Sequence, residues 1–544
     1  MRSLTNRPTP GPSPRAGHRQ RKDSGTARKD NGLSVSEGLY RRERVRVGKV
    51  SIATKVFQAV GALPEALKNF AFGTFLLFYY NQVLHVDAFK ASTAIALALI
   101  IDAGVDPLIG SFSDHLKSRL GRRHPLMYLS AIPIAVGLYL AFAPPAGFSE
   151  TLLLAWLFGT VVITHVSMSV FVVPWTALYA EFSDDYAERT TIVTYRYAIG
   201  WLGSLVFILC TWRFIFASTP TYNPGQINPH AYGIFGPVAA VAILAAIVAT
   251  TFLTRREIPY LRQPVQETPR FSFLRVWRDV SSTFVNRDFL ILFVGALLTA
   301  GITGATDTLG LYVNTYFWGL APEQLQYFSL AVVGAIIGFI SLGFIGRLFD
   351  KKAVLLATFT LLMIDGIGVI TLRLLHVMPA NGSSALLIIL VVNEIVRTWL
   401  ATLLGIMFVS MLADTIDLQE LSTGRRQEGV FAAALAFSGK ATAGVGAVIA
   451  GFLLQQVVRW PLKVDPHHID PQVVTRLGLV AGVLVPLLLA IPLALGSRYS
   501  ITREKHMLTR QELERRRSAA QAPPEDESHL DLEMAIARPG ASPI

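Results

Sequence analysis

The chain has 544 residues, 52% of them hydrophobic and only 16% charged, with a formal net charge of +12. A soluble domain carries about 25% charge, so this composition excludes a large soluble fold and points to the membrane. The single cysteine, Cys210, excludes a disulfide framework and a cysteine-rich metal centre. The basic excess lies in tails and loops, where it suits an anionic lipid surface; nucleic acid would need a folded basic domain, and none is visible.

Residues 1–50 are polar and basic, with no apolar signal-peptide core, and read as a disordered cytoplasmic tail. Apolar segments long enough to cross a bilayer follow at 57–83, 88–113, 124–144, 151–180, 192–217 and 233–254. After a basic linker over 255–288, six more run at 289–317, 324–347, 352–375, 383–413, 429–458 and 475–497. The tail over 499–544 is charged, helical to about Arg517 and Pro-rich beyond. This pattern predicts an all-α membrane protein of twelve transmembrane helices in two six-helix halves, 51–254 and 289–498.

Lys and Arg set the orientation. Lys117, Arg119, Arg122 and Arg123 follow the second span; Arg347, Lys351 and Lys352 join the eighth and ninth; Arg425 and Arg426 join the tenth and eleventh. The loops near 143–150 and 218–232 have none, so both termini and the linker are expected in the cytoplasm. Gly110-Ser-Phe-Ser-Asp114 before a basic turn recurs as Gly346-Arg-Leu-Phe-Asp350 before Lys351-Lys352, at matching places in the two halves. Two such halves around a basic linker describe the parallel-repeat architecture of major facilitator transporters.

Asp102 and Asp106 stand inside the second apolar run, one turn apart on one helix face and roughly 6 Å from each other. Carboxylates at membrane depth are costly and by default functional. Pro107 lacks an amide hydrogen, so the Ala103 carbonyl loses its usual helix partner in the same turn. Two carboxylates and a freed carbonyl suit a sodium ion; two like charges at this spacing also suit one exchangeable proton. The bland alternative is a structural salt bridge with Lys440 or an arginine. Lys440 itself lies among small residues, Ser438 to Gly444, where it must meet a carboxylate or a wet cavity.

Glu65, Lys68 and Asn69 in the first span are candidates for solute contact, against an internally neutralised pair that only packs. Asp307, with Thr303, Thr306 and Thr308, is a candidate from the other half, against a packing cluster. Asn393, Glu394 and Arg397 read as mutual neutralisation, and Arg213 as a snorkelling side chain. Asp114, Arg119, Arg122, Arg123, Asp184, Asp185, Glu188, Arg189, Asp414, Asp417, Arg425 and Arg426 crowd the cytoplasmic face, as gate ion pairs or as solvated loop charge. No GxSxG, HExxH, phosphate-binding glycine loop or CxxC pattern is present, and no cofactor or enzymatic activity is expected.

The run Asp102-Ala-Gly-Val-Asp106-Pro-Leu-Ile-Gly110, with Ser113-Asp114, Ser118-Arg119, Gly121-Arg122-Arg123 and Pro125, resembles the second-span motif of the glycoside–pentoside–hexuronide cation symporters. Phe78-Tyr79-Tyr80, Pro174 to Leu178 with Glu188-Arg189-Thr190 and Arg196, and Ala413-Asp414 through Glu428-Gly429 to Lys440 resemble three further segments, so the likeness spans roughly 55–500. The resemblance implies sodium-, lithium- or proton-coupled sugar uptake by alternating access. In the melibiose carrier the acids matching Asp102 and Asp106 form the cation site, and the lysine matching Lys440 sits near it. An acid two residues before the fourth-span proline is Val172 here, which removes one ligand and leaves a proton as a real option. Glu65 stands near the place of the galactoside-recognising aspartate, and Arg196 fits with a one-residue slip. Some eukaryotic relatives carry lysophospholipid, so that class stays open, as does a non-transporting membrane sensor. The partners expected are a sugar or glycoside and membrane lipid in the cell membrane, with no nucleic acid, no obligatory protein partner, and no metal beyond the sodium ion.

Overall fold

The computed structural model describes residues 40–41, 44, 46, 48–116, 118–261, 263–264, 287–423, 444–461 and 469–521. Among them, ten helices are long and apolar enough to cross a membrane: Ala88–His115, His124–Ala141, Glu150–Phe182, Ala187–Ile215, Pro229–Tyr260, Arg287–Phe317, Pro322–Leu348, Lys351–Leu374, Ser384–Leu421 and Pro471–Ser497. They occupy the places of the second to tenth and the twelfth expected spans. Helices are the solution because hydrocarbon offers no partner to a backbone amide or carbonyl. Side-chain caps start several of them: Asp87, Ser149, Asp185, Asn228 and Asp470 each accept from a first-turn amide.

The first expected span departs from an unbroken helix. Expected as one run over 57–83, it is a chain of pieces: Ile52–Val60, Leu63–Phe70, then π turns at Ala71–Leu76 and Tyr79–Val83. Gly61 and Pro64 explain the first break. A Cβ at residue 61 would overlap the Trp175 indole, so only glycine lets the first span reach the fourth there. Pro64 then sits in the opening turn of the next piece, where its missing amide costs nothing. Of the eleventh span the described part is the apolar helix Gly444–Val458. Lys440, Arg425 and Arg426 lie outside the described residues.

Packing repeats between the halves. In the N-terminal half the fourth span lies against the second and third, and the sixth against the first and third. In the C-terminal half the tenth lies against the eighth and ninth, and the twelfth against the seventh and ninth. Short residues permit these approaches: Gly334 and Gly338 of the eighth span meet Ile395, Trp399 and Thr402 of the tenth. Large apolar side chains such as Leu129, Ile132, Val241 and Ile388 stand exposed on outer faces, as lipid contact requires. The halves meet where the first span touches the seventh, the second the eleventh, and the fifth the turn opening the eighth.

The described segments before the first span and after the last are both tied to the basic end of the bundle. Tyr40–Arg41 pairs with Gln263–Pro264, and Arg46 forms an ion pair with Glu257. After the last span Ser500 binds Asp288 through its amide and hydroxyl, at 2.8 and 2.7 Å. The tail helix then runs over Arg503–Gln521, a turn past the expected stop near Arg517.

A candidate ion and solute site between the halves

Asp102 is 1% exposed, midway along the second span. Ser169 of the fourth span donates to its Oδ1 at 2.7 Å. His165, one turn earlier on the same face, places Nδ1 3.6 Å from Oδ2. Lys68 of the first span brings Nζ to 3.5 Å from that same Nδ1. Phe72 covers the imidazole, with ring centroids 5.6 Å apart. Asp106 is one turn along and half-buried, on the side of Pro107. The structure therefore joins Asp102 and Lys68, which the sequence had put in different roles, through a histidine the sequence reading had not singled out. Val172 was noticed as a lost ligand position; His165 and Ser169 lie seven and three residues before it on the same helix. Reading one and two turns back along that face finds both.

The donor set fits a small cation. Two carboxylates, the Ser169 hydroxyl and the carbonyl that Pro107 leaves unpaired are all oxygens, which sodium prefers. The same carboxylates suit a proton.

A second group lies on the fifth and first spans. The Arg196 guanidinium stacks 3.9 Å from the centre of the Trp175 ring, with Glu65 as a charged neighbour. Trp175 is fully buried and locked to the first span by reciprocal bonds: its Nε1 donates to the Gln58 carbonyl and Gln58 Nε2 donates to its carbonyl, both at 2.9 Å. Asn69 is exposed and Glu65 half-exposed, whereas Lys68 is 7% exposed and turned toward the fourth span.

In the C-terminal half Arg397 gathers the charge. Its Nε and Nη2 donate to Glu394 at 3.0 and 2.6 Å, and its Nη1 stands 3.6 Å from Asp307. Asn393 donates to Asp365 at 2.7 Å. Asp307 keeps 58% of its side-chain surface accessible.

At the basic end, the ion pairs among the described residues run within each half. Glu181, absent from the sequence candidates, accepts from Arg122 at 2.7 Å and Arg123 at 3.0 Å; Arg123 also reaches Asp114 at 2.8 Å. In the matching place of the other half, Lys351 holds both oxygens of Asp414 at 2.7 Å. His506 of the tail helix lies 3.4 Å from Asp414 and 3.2 Å from Asp417. Arg119 is exposed; Arg189 donates to the Ser183 carbonyl at 2.7 Å and pairs loosely with Asp184 at 3.8 Å.

At the opposite end, hydrogen bonds run between the halves. Tyr312 donates to Asn81 at 3.0 Å and Tyr316 to Gln82 at 2.6 Å. Gln226 donates to Thr315 at 2.9 Å, and Glu323 accepts from the Ser218 amide and hydroxyl at 2.8 and 3.1 Å. Phe78 packs edge-on against Tyr312 at 5.0 Å.

Comparison with known proteins agrees with this geometry. Residues 57–503 match the family described as MFS/sugar transport protein. The uncharacterized symporter YnaJ of Bacillus subtilis is 28% identical over 75% of this chain and 84% of its own. The isoprimeverose transporter of Lactiplantibacillus pentosus is 24% identical over 70% and 75%. The sodium-dependent lysophosphatidylcholine symporter 1 of Xenopus tropicalis is 25% identical over 46% and 52%. In fold, the chain is similar to the nucleoside transporter NupG, with TM-score 0.55 and 11% identity over 82% of this chain and 99% of that one. It is also similar to an inward-facing bacterial homologue of the lysosomal transporter Spinster, with TM-score 0.56 and 11% identity over 85% and 97%.

Proposed function

The chain belongs to the MFS/sugar transport protein family, and from that premise we propose that it is a twelve-span symporter coupling a sugar or glycoside to sodium or a proton. It is a multi-pass membrane protein and not an enzyme. The observation that carries the coupling is Asp102, buried in the second span and met by the Ser169 hydroxyl and the His165 imidazole. A buried carboxylate so placed gains from an added cation, and closing the halves around solute becomes cheaper once that charge is compensated. Asp102 and Asp106 hold the ion. Glu65, Asn69, Arg196 and Asp307 face the solute, with Lys68 between the two sites and Lys440 as the coupling lysine.

With the basic end in the cytoplasm, the inter-half bonds of Asn81, Gln82, Gln226 and Glu323 close the outer side, and the molecule stands inward-open. Turning outward requires those bonds to break and the two basic faces to meet. The intra-half pairs at Glu181 and Asp414 keep each face rigid as it swings, and Arg119, Arg189, Asp417, Arg425 and Arg426 complete that gate.

The test is uptake into liposomes, using mono- and disaccharides, glycosides, uronates and lysophospholipids, under an imposed sodium or proton gradient. Accumulation of a sugar that collapses with the cation gradient is the expected result. Uptake of lysophosphatidylcholine alone would transfer the protein to the amphiphile class, and no gradient-dependent flux of any solute would refute the symport reading.

A further inference from the structure

The hydrogen bonds that join the halves opposite the basic face leave part of their own polar capacity unused. The first span brings Asn81 and Gln82 to this seal, the seventh Thr315 and Tyr316, the loop after the fifth span Gln226, and the end of the eleventh Trp460. The Trp460 indole nitrogen is buried and finds no acceptor among the described residues, and the Gln226 side-chain carbonyl finds no donor. Gln226 is 0% exposed and Trp460 2%. Buried polar groups are costly to leave unpaired, so the cluster is under-satisfied even with the halves closed on it.

The chemistry of the cluster is neutral and partly aromatic. Trp460 stands 4.9 Å from the Tyr316 ring and 5.9 Å from the Tyr312 ring, and Phe78 lies along Tyr316 at 6.3 Å. Amides and hydroxyls serve solute hydroxyls, and a flat ring covers the C–H face of a pyranose. The amide, hydroxyl and indole side chains of the seal are uncharged at neutral pH, unlike the Arg196–Glu65 and Arg397–Glu394 groups. Asn81 and Gln82 lie in the π turn Tyr79–Val83, Thr315 and Tyr316 in the π turn Val313–Phe317, and Trp460 follows the π turn Leu453–Val458. Single π turns of this kind recur at functional places in helices.

Separating the halves breaks the Asn81–Tyr312, Gln82–Tyr316 and Gln226–Thr315 bonds. It frees amide acceptors on the first span and hydroxyl donors on the seventh. A sugar hydroxyl both donates and accepts, so one solute can serve both rims. We propose that this seal doubles as an entry subsite for an uncharged sugar, whose hydroxyls take over the inter-half hydrogen bonds as the seal opens. Solute binding then offsets part of the cost of opening, and Trp460 and Gln226 gain the partners they lack in the closed seal. The subsite rests on the reading of the chain as a sugar carrier.

The test uses the full chain in intact cells. On a Cys210→Ser background, the single thiol of Thr315→Cys is buried in the sealed state and reacts with a membrane-impermeant methanethiosulfonate only when the seal opens. Xylose, glucose, lactose and methyl-β-glucoside are each tested for protection of this thiol and, in the unaltered protein, for uptake. A sugar that is taken up is expected to protect. Trp460→Phe keeps a ring, deletes the N–H and is expected to raise the half-protecting concentration about fivefold. Tyr316→Phe, which deletes one hydroxyl, is expected to speed labelling and weaken protection together. Asp307→Asn is expected to impair uptake and leave protection in place. Loss of protection in Asp307→Asn would show that sugar bound at the solute site shuts the seal from within, and would overturn the subsite. So would uptake of a sugar that never protects, a thiol that never reacts from outside, or unchanged protection in both Trp460→Phe and Tyr316→Phe. Protection without uptake would support the subsite and count against the transport of that sugar. If none of the four sugars is taken up or protects, the sugar-carrier reading falls and takes the subsite with it.

Discussion

In the N-terminal half Asp102 meets a serine hydroxyl and a histidine ring, whereas in the C-terminal half Glu394 meets a guanidinium in two hydrogen bonds. Both are membrane carboxylates, yet the partners differ in kind. Arginine is permanently charged and binds a carboxylate in fork geometry, so the Arg397 cluster carries its compensation with it. Hydroxyl and imidazole stabilise a carboxylate while leaving it open to a mobile cation. The contrast fits the proposed roles, ion exchange in one half and a solute platform in the other. The two ends differ in the same instructive way: among the described residues, ion pairs at the basic end stiffen each half, and hydrogen bonds at the other end, neutral apart from those to Glu323, join the halves. Neutral bonds of about 1 kcal/mol each are suited to a seal that must open on every cycle.

Four variants sharpen or break this comparison. Asp102→Asn is expected to have the largest effect, weakening cation binding about 100-fold, roughly 3 kcal/mol, as read by cation-induced shifts in Tm. An unchanged shift would place the ion elsewhere. Arg397→Ala strips compensation from Glu394 and Asp307. Half-exposure discounts the penalty of a fully buried broken pair, so about 2 kcal/mol is expected in detergent unfolding, while the cation-induced Tm shift persists. Loss of that shift would erase the distinction between the halves. Tyr312→Phe with Tyr316→Phe removes two inter-half bonds and is expected to move the balance away from the present state about tenfold, by thiol accessibility at the basic face. Glu181→Gln is expected to do least to that balance, because its partners Arg122 and Arg123 lie in its own half. A shift as large as the tyrosine pair's would show that the basic-end pairs also bridge the halves.

The ten described spans were legible because each apolar run stands out against charged loops, and Asp102 and Asp106 stood out as candidates because carboxylates inside such a run are conspicuous. The break in the first span was signalled by Gly61 and Pro64, but its cause, the buried Trp175 indole, belongs to a different span. His165 and Ser169 escaped notice because a single histidine or serine on an apolar helix reads as packing until its partner is known. Asn81 and Gln82 were equally silent: their meaning lies in Tyr312 and Tyr316, more than two hundred residues away. Glu394 and Arg397 are three residues apart, and the sequence spacing predicts the pairing that the structure shows; their tie to Asp307 needed the seventh and tenth spans side by side.

The measurement that tests ion coupling most directly is a paired assay of Asp106→Asn in liposomes: gradient-driven accumulation beside solute exchange at equilibrium. The account predicts that accumulation disappears while exchange continues, because the neutral amide removes the ion's charge partner but leaves the solute site and the rocking halves intact. Normal accumulation by the same protein would contradict it.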